Sequence, residues 1–415
     1  MVKAVLPNDV VITGLGVISP LGLGREPLVE ALAQGVSAVR PLTRFPVEPW
    51  TQARLAATVP DFSLEEVTGN PKESARASPL FKFAWAAAHL ALQNANLALE
   101  GELRERTGIF VGLSWFIAEY LERLLKKKHE GRLHEILPIR IENIHPYGSA
   151  GQLSYLYKIV GPTLTFSAAG QSAIQALEAA LLYFERGRID TALVLSPDVL
   201  SPYRFHCEAA AGLVSSSSDP ENAPRPYDQG ADGAVPSEGA VALVLERGQA
   251  ARARGAKIWA QVRELRTLSR PSRFPPAPEG IGYPPETLTG LLNQLDWDRI
   301  SVIYGDGKGI PSLDEAEARG IRQALGSHAP RVPLTSIQGC LGDAAGTSAL
   351  FQVAAMVQSL SSSLIFPIRN LERPFCGQEL DYVVGQSRRA EIELAVGLSY
   401  GWGGSHSLIL LQRPE

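Results

Sequence analysis

Cysteine is scarce in this sequence, and the few cysteines present exclude two common kinds of site. The 415 residues include three cysteines, at positions 207, 340 and 376. Their separations match neither a metal-ligand pattern nor a framework of paired disulfides. We therefore expect no metal site and a reducing compartment.

Long apolar runs and a large excess of one charge are also missing. No stretch approaches the ~20 apolar residues that span a bilayer, and Pro7 and Asp9 interrupt the short apolar run at the N-terminus, unlike in a signal peptide. The net charge of −4 gives no reason to expect binding to nucleic acid or to an anionic membrane. Together these absences predict a soluble cytoplasmic protein.

The sequence does contain alternating strand-like and helix-like segments. At 415 residues and 45% apolar content, the chain is long enough for two core units. Runs rich in β-branched residues lie at 10–13, 108–112, 163–167, 191–195, 240–245, 258–262, 301–304, 333–336, 392–398 and 407–411. Good helix formers occupy 81–94, 172–186, 313–325 and 347–360. This order predicts an α/β protein with buried sheets between helices.

A weak internal repeat suggests how the two units are related. Residues 161–170 read as a strand and a tight turn that enters a long helix, and residues 332–346 repeat the pattern. A duplicated α/β fold is favoured over two unrelated domains, which stay open as the alternative. The charged segment 247–257 then divides the chain into an N-terminal half, 1–250, and a C-terminal half, 251–415. The proline-rich stretch 266–285 is predicted to be an irregular connection.

Several motifs resemble those of the β-ketoacyl-synthase family, and together they cover nearly the whole chain. They are residues 10–22, Gly161-Pro162, Arg225–Asp228, Asp232-Gly233, Glu238–Ala240, 305–317, 335–346 and Ser399–Gly404. Their order along the chain matches that of the family. The resemblance implies a thiolase-like, five-layered αβαβα fold with two similar halves, and an obligate dimer.

The same resemblance identifies where catalytic residues would stand. A condensing enzyme needs a cysteine thiolate at a strand–helix turn and two imidazoles facing it. Gapless alignment places Gly170 at the cysteine position, and a one-residue shift would place Gln171 there instead. The histidine positions hold Asp306 and Cys340, and the family lysine position holds Thr335. No histidine lies within ten residues of Cys340, so a small buried cysteine is favoured over a relocated nucleophile.

The sequence thus keeps the motifs of the family fold but has other residues at the catalytic positions. In this it resembles the chain-length factors, which are the inactive partners of ketosynthases in type II polyketide biosynthesis, including antibiotic biosynthesis. The resemblance implies a heterodimer with a catalytic ketosynthase, work with a phosphopantetheinylated acyl carrier protein, no cofactor of its own and no nucleic-acid or membrane partner. It predicts no activity for the chain alone. A malonyl-carrier-protein decarboxylase that primes synthesis and a purely scaffolding partner are the alternatives.

One segment is the candidate for setting product length. Ser114, Trp115, Phe116 and Tyr120 follow the strand at 108–112, in a region that the family places at its dimer interface. Bulky side chains there would close a tunnel and stop chain growth early, because each added methylene needs room. Ordinary interface packing is the simpler alternative for the same residues.

Overall fold

Ten main strands form the framework of the computed structural model, which describes residues 2–3, 9–115, 118–135, 145–270 and 285–414. The strands are β1 (Val10–Ser19), β2 (Thr107–Gly112), β3 (Thr163–Phe166), β4 (Thr191–Asp198), β5 (Gly239–Arg247), β6 (Ala260–Ser269), β7 (Ile300–Tyr304), β8 (Pro333–Thr335), β9 (Leu394–Gly401) and β10 (Ser405–Gln412). Shorter strands lie at Val2–Lys3, Gly22–Leu23, Arg40–Pro41, Leu55–Ala56, Leu364–Ile365, Asp381–Tyr382 and Arg388–Arg389.

The two sets of five strands share one topology. The first set has the spatial order β3-β2-β4-β5-β1, and the second has the order β8-β7-β9-β10-β6. In each set the first three strands in this order are parallel and the last two are antiparallel to their neighbours. A short antiparallel pairing of β1 with β6 joins the sets. The predicted thiolase-like fold with two similar halves is confirmed, whereas the division at residue 250 stays a prediction.

Nine main helices cover and separate the strands. They are α1 (Arg25–Ala33), α2 (Pro79–Asn94), α3 (Ala118–His129), α4 (Gly148–Tyr157), α5 (Ser172–Glu185), α6 (Pro202–Ala210), α7 (Pro285–Leu292), α8 (Pro311–Leu325) and α9 (Thr347–Ser362). Shorter helices lie at Leu64–Thr68, Pro71–Ser74, Gly248–Ala253 and Gln338–Leu341. Helices α5 and α9 contact each other between the two sets of strands, α2 covers the outer face of the first set, and α7 with α8 covers the second. This gives the five layers.

Local sequence explains where several of these helices begin. Helices α2, α6 and α8 each have proline at the first position, where the missing N–H has no intrahelical partner to lose. Ser78 and Ser201 cap α2 and α6, since each side chain accepts a hydrogen bond from a backbone N–H in the first turn. Proline and cap together fix the direction in which these helices leave their loops.

The predicted irregular connection at 266–285 begins too early. Strand β6 continues to Ser269 in register with β10, so residues 266–269 belong to the sheet. Arg266 is buried there because its guanidinium pairs with Glu264 and donates to the Leu291 carbonyl at 2.9 Å. Residues 271–284 lie outside the described part of the chain. Within the described residues, no helix has both the length and the apolarity needed to cross a membrane.

Candidate active site

The strand–helix turn after β3 is the place where a nucleophile is expected. Ala169 has φ of +49°, and the chain then makes one turn of 3-10 helix before α5 begins at Ser172. Gly170 has no side chain, and a Cβ built on it would lie 2.8 Å from the Tyr400 carbonyl oxygen. Gln171 is 3% exposed, and its Nε2 donates to Ser399 Oγ at 2.6 Å. The described turn therefore presents a glycine and a hydrogen-bonded amide.

A buried lysine lies at the centre of the region between the loops 305–317 and 335–346, which contain the two histidine positions of the family motifs. Lys308 Nζ lies 3.1 Å from Asp343 Oδ1 and 3.7 Å from Asp306 Oδ2, and the lysine is only 4% exposed. Burial alone would lower the pKa of Lys308, but the carboxylates of Asp306 and Asp343 raise it above its ordinary value. The ammonium therefore stays charged and bound to its carboxylates, which leaves it unsuited to act as a nucleophile.

Asp306 is the residue that the motif alignment places at the first histidine position. Burial raises the pKa of its carboxyl group to about 7, and the charge of Lys308 opposes this effect. Its Oδ2 accepts a hydrogen bond from the backbone N–H of Tyr400 at 3.1 Å, and its own N–H donates to Glu317. The Tyr400 N–H, which faces the site, is thus already hydrogen-bonded to Asp306.

The second of these loops, residues 335–346, has Cys340 at its histidine position. Cys340 lies in the short helix Gln338–Leu341 and is 1% exposed, and burial raises the pKa of its thiol to about 12. A thiol of this kind is almost entirely protonated at neutral pH. Thr335, at the lysine position, is fully buried and donates from Oγ1 to the Phe366 carbonyl at 2.6 Å. The burial of Cys340 and the hydrogen bond of Thr335 give both side chains a structural role.

Three buried carboxylates, which we call the acidic triad, line this region: Asp306, Asp314 and Glu317. Asp314 accepts hydrogen bonds from the N–H groups of Lys308, Gly309 and Tyr227, each at 2.9 Å. Glu317 accepts from the Tyr227 hydroxyl at 2.7 Å and from the Gly307 N–H at 3.0 Å. Burial raises the pKa of both carboxyl groups to about 7, although these donors oppose the shift. The triad fixes the shape of the 306–309 loop.

Sequence reasoning missed two acidic residues that complete the network. Asp343 accepts from Lys308 and from Ser348 Oγ, and Lys308 with Arg204 holds its pKa below the ordinary value despite the opposing effect of burial. Asp198 accepts from the backbone N–H groups of Ser114, Trp115 and Thr347 at 3.2–3.3 Å, and burial raises its pKa to about 6. An acidic residue inside the alanine- and glycine-rich stretch 342–346 was the available signal for Asp343.

Little open space remains between these groups. A cavity of about 10 Å³ lies among Asp306, Gly307, Lys308, Leu313, Asp314, Glu317 and Tyr400. That volume holds about one water molecule. An acyl or malonyl thioester does not fit there in the described arrangement.

The structure brings part of the predicted length-setting segment next to the turn. Ser114 Oγ donates to the Ala169 carbonyl at 2.7 Å, and the half-buried Trp115 ring meets the ring of Tyr203 edge-on at 6.1 Å between centroids. Tyr120 is half-buried on α3. Phe116 lies outside the described residues.

Comparison with known proteins identifies the family. Residues 7–251 match the N-terminal domain of beta-ketoacyl synthase, and residues 272–372 match its C-terminal domain. A putative polyketide beta-ketoacyl synthase 2 of Streptomyces halstedii is 30% identical over 98% of each chain. A 3-oxoacyl-[acyl-carrier-protein] synthase 2 of Synechocystis is also 30% identical over 98% of each chain. The ishigamide ketosynthase/chain length factor structure has a TM-score of 0.87 at 23% identity and covers 98% of this chain and 100% of its own.

The chain is equally identical to a relative named as a polyketide beta-ketoacyl synthase and to one named as a 3-oxoacyl-[acyl-carrier-protein] synthase, so overall identity does not separate the two kinds of relative. The structure brings the matching motifs together. The strand–helix turn at 169–171, the loops 305–317 and 335–346 and the glycine loop 399–404 meet at one point. The chain belongs to the β-ketoacyl synthase family.

Proposed function

We propose that this chain is a non-catalytic subunit of the chain-length-factor type, which pairs with a catalytic ketosynthase and shapes its polyketide tunnel in type II polyketide biosynthesis. The observation that carries the proposal is the buried Lys308, which is held by Asp343 and by Asp306, the residue at a motif position where a condensing enzyme has an imidazole. Condensation needs a thiolate and donors for the developing enolate. The described site offers no accessible thiol, and the cavity beside Asp306 and Lys308 has room for about one water molecule.

The decarboxylase alternative is disfavoured by the same contacts. Decarboxylation of a malonyl group forms an enolate, which is stabilised by free hydrogen-bond donors and by positive charge. Here the Tyr400 N–H donates to Asp306, and the Lys308 charge is compensated by two carboxylates. A malonyl carboxylate would meet like charge at this position.

An uncovered sheet edge supports pairing with a second chain. Strand β3 pairs with β2 on one side, and no described strand covers its other side. The buried Thr165 hydroxyl in this strand has no hydrogen-bond partner among the described residues, while Val160 and Tyr155 nearby are 74% and 65% exposed. Unpaired edge strands flanked by apolar surface are ready to pair with another chain. The proposed occupant is the catalytic ketosynthase.

The segment after β2 is suited to the role of a steric stop. Trp115 is fixed at its backbone by Asp198 and at its ring by Tyr203, so its position is defined by contacts on two sides. A rigid aromatic side chain excludes a growing chain more sharply than a mobile one, since interiors tolerate little overlap. Phosphopantetheinylated acyl carrier protein would deliver the chain to the partner, and this subunit would need no cofactor.

Two experiments test the proposal. The chain is co-expressed with a catalytic ketosynthase and an acyl carrier protein of a type II polyketide system, and the products are sized by mass spectrometry. We expect Trp115→Ala and Phe116→Ala to lengthen the product, while Trp297→Ala, on a half-buried tryptophan of the other half, leaves it unchanged. Unchanged length in both segment variants would refute the steric role.

The partner surface is tested separately by co-purification. Val160→Lys places a charge beside the β3 edge and should reduce recovery of the ketosynthase at least tenfold. Val384→Lys, at a valine that is 50% exposed in the other half, is the matched control and should leave recovery unchanged. Full recovery with Val160→Lys would exclude this edge as the interface.

A further inference from the structure

The end of the β9–β10 hairpin approaches both dismantled catalytic positions. Residues 402–404 connect the two strands, and Gly403 and Gly404 have φ of +92° and +88°. The last residues of β9, Ser399 to Gly401, lie against the turn at 169–171 on one side and against the 306–309 loop on the other. The hairpin end therefore closes the space between them.

On the first side, Gln171 holds the hairpin by a hydrogen bond and by close packing. Its Nε2 donates to Ser399 Oγ at 2.6 Å, and both residues are less than a tenth exposed. Its Cγ lies 2.5 Å from where a Cβ on residue 401 would stand, so this contact requires glycine at 401. The Gln171 side chain thus occupies the room beside the hairpin that a bulkier residue at 401 would need.

On the second side, Asp306 holds the backbone. Its Oδ2 accepts from the Tyr400 N–H at 3.1 Å, while the Tyr400 carbonyl oxygen faces the turn, 2.8 Å from where a Cβ on residue 170 would stand. A carboxylate that accepts from a buried N–H forms a stronger bond than a neutral pair. The backbone of Tyr400 is thus bonded to Asp306 on one side and packed against Gly170 on the other.

We infer that Gln171 and Asp306 are positioning residues, which together clasp the β9–β10 hairpin against the strand–helix turn and the 306–309 loop. The inference rests on the proposed function, because it assigns a structural task to positions where a catalytic subunit would carry reacting groups. In this reading, Asp306 at the first histidine position, and Gln171 at or next to the cysteine position, hold the hairpin.

Hydrogen–deuterium exchange of the full chain tests the clasp without any partner. We expect backbone amides of 399–404 to exchange about fivefold faster in Gln171→Leu and about tenfold faster in Asp306→Ala, from the ordinary strength of neutral and charged hydrogen bonds. Asp306→Asn, which keeps an acceptor oxygen for Tyr400, should restore most of the protection. Ser359→Ala, which removes another buried hydrogen bond in the same half, is the matched control and should leave the segment protected.

Strand β5 serves as the internal reference, because a global loss of stability would accelerate exchange there as well. Faster exchange confined to 399–404 supports the clasp. Unchanged exchange of this segment in both Gln171→Leu and Asp306→Ala, with β5 still protected, would overturn it. That result would leave the product-length and co-purification tests of the proposed function unaffected, so the two failures are distinguishable.

Discussion

Replacing Lys308 by methionine is the most direct test of the buried charge network. The change keeps most of the side-chain volume and removes the ammonium that lies 3.1 Å from Asp343 and 3.7 Å from Asp306. Removing one partner of a buried ion pair leaves an uncompensated charge and costs roughly 3–5 kcal/mol. We therefore expect the free energy of unfolding at pH 8 to fall by about this amount.

The control and the pH dependence make this expectation specific. Lys127 pairs with Glu135 at 3.4 Å on the surface, so Lys127→Met should leave the free energy of unfolding nearly unchanged. The loss in Lys308→Met should shrink at pH 5.5, since without the lysine both carboxylates can take up protons. Urea titrations at the two pH values give the measurement. A cost below about 1 kcal/mol at pH 8, or a greater cost at pH 5.5, would refute the reasoning.

Three further predictions concern the same region. Burial raises the pKa of the acidic-triad carboxyls from about 4 to about 7, so the folded chain binds more protons than the unfolded chain between these pH values. The free energy of unfolding should therefore fall as the pH rises through 7. A higher urea midpoint at pH 8 than at pH 5.5 would contradict this prediction. Gly170→Cys should destabilise the fold by about 1–3 kcal/mol, because its Cβ would clash with the Tyr400 carbonyl oxygen. Intact-mass spectrometry should show no transfer of an acyl group from an acyl carrier protein to this cysteine. Gly290→Cys is the control and should be tolerated, since position 290 has open space around it. Cys340 should react with iodoacetamide at least tenfold more slowly than the two half-buried cysteines, measured by peptide mass spectrometry, and equal rates would show that the thiol is accessible.

The order of elements was predictable from the sequence because it depends on local patterns. Alternating β-branched runs and alanine-rich helices, together with the repeat at 161–170 and 332–346, indicate a duplicated α/β fold, and the identical strand orders confirm it. Element ends were less predictable. Strand β6 extends to Ser269 because pairing with β10 and the buried contacts of Arg266 outweigh the signal of the prolines that follow.

Alignment with the family motifs places Asp306 and Cys340 at the histidine positions, and Gly170 or Gln171 at the cysteine position; these assignments stay predictions. The contacts that these residues make were not predictable. Lys308 contacts Asp343, which is 35 positions away, more closely than it contacts Asp306. Contacts of this range depend on how the two halves pack, and no local pattern in the sequence reports them. The same holds for the bond between Asp306 and the backbone of Tyr400.

The ion pairs around Lys308 have an evolutionary consequence. Lys308→Thr would leave two buried carboxylates without a counter-charge, and a thiol at position 170 would meet the Tyr400 carbonyl. Each of these single steps back towards a condensing site lowers stability before any activity returns. Proteins tolerate only a few kcal/mol of such loss. On the function proposed above, a condensing site could therefore be restored only by several simultaneous substitutions, because each single one destabilises the buried network first.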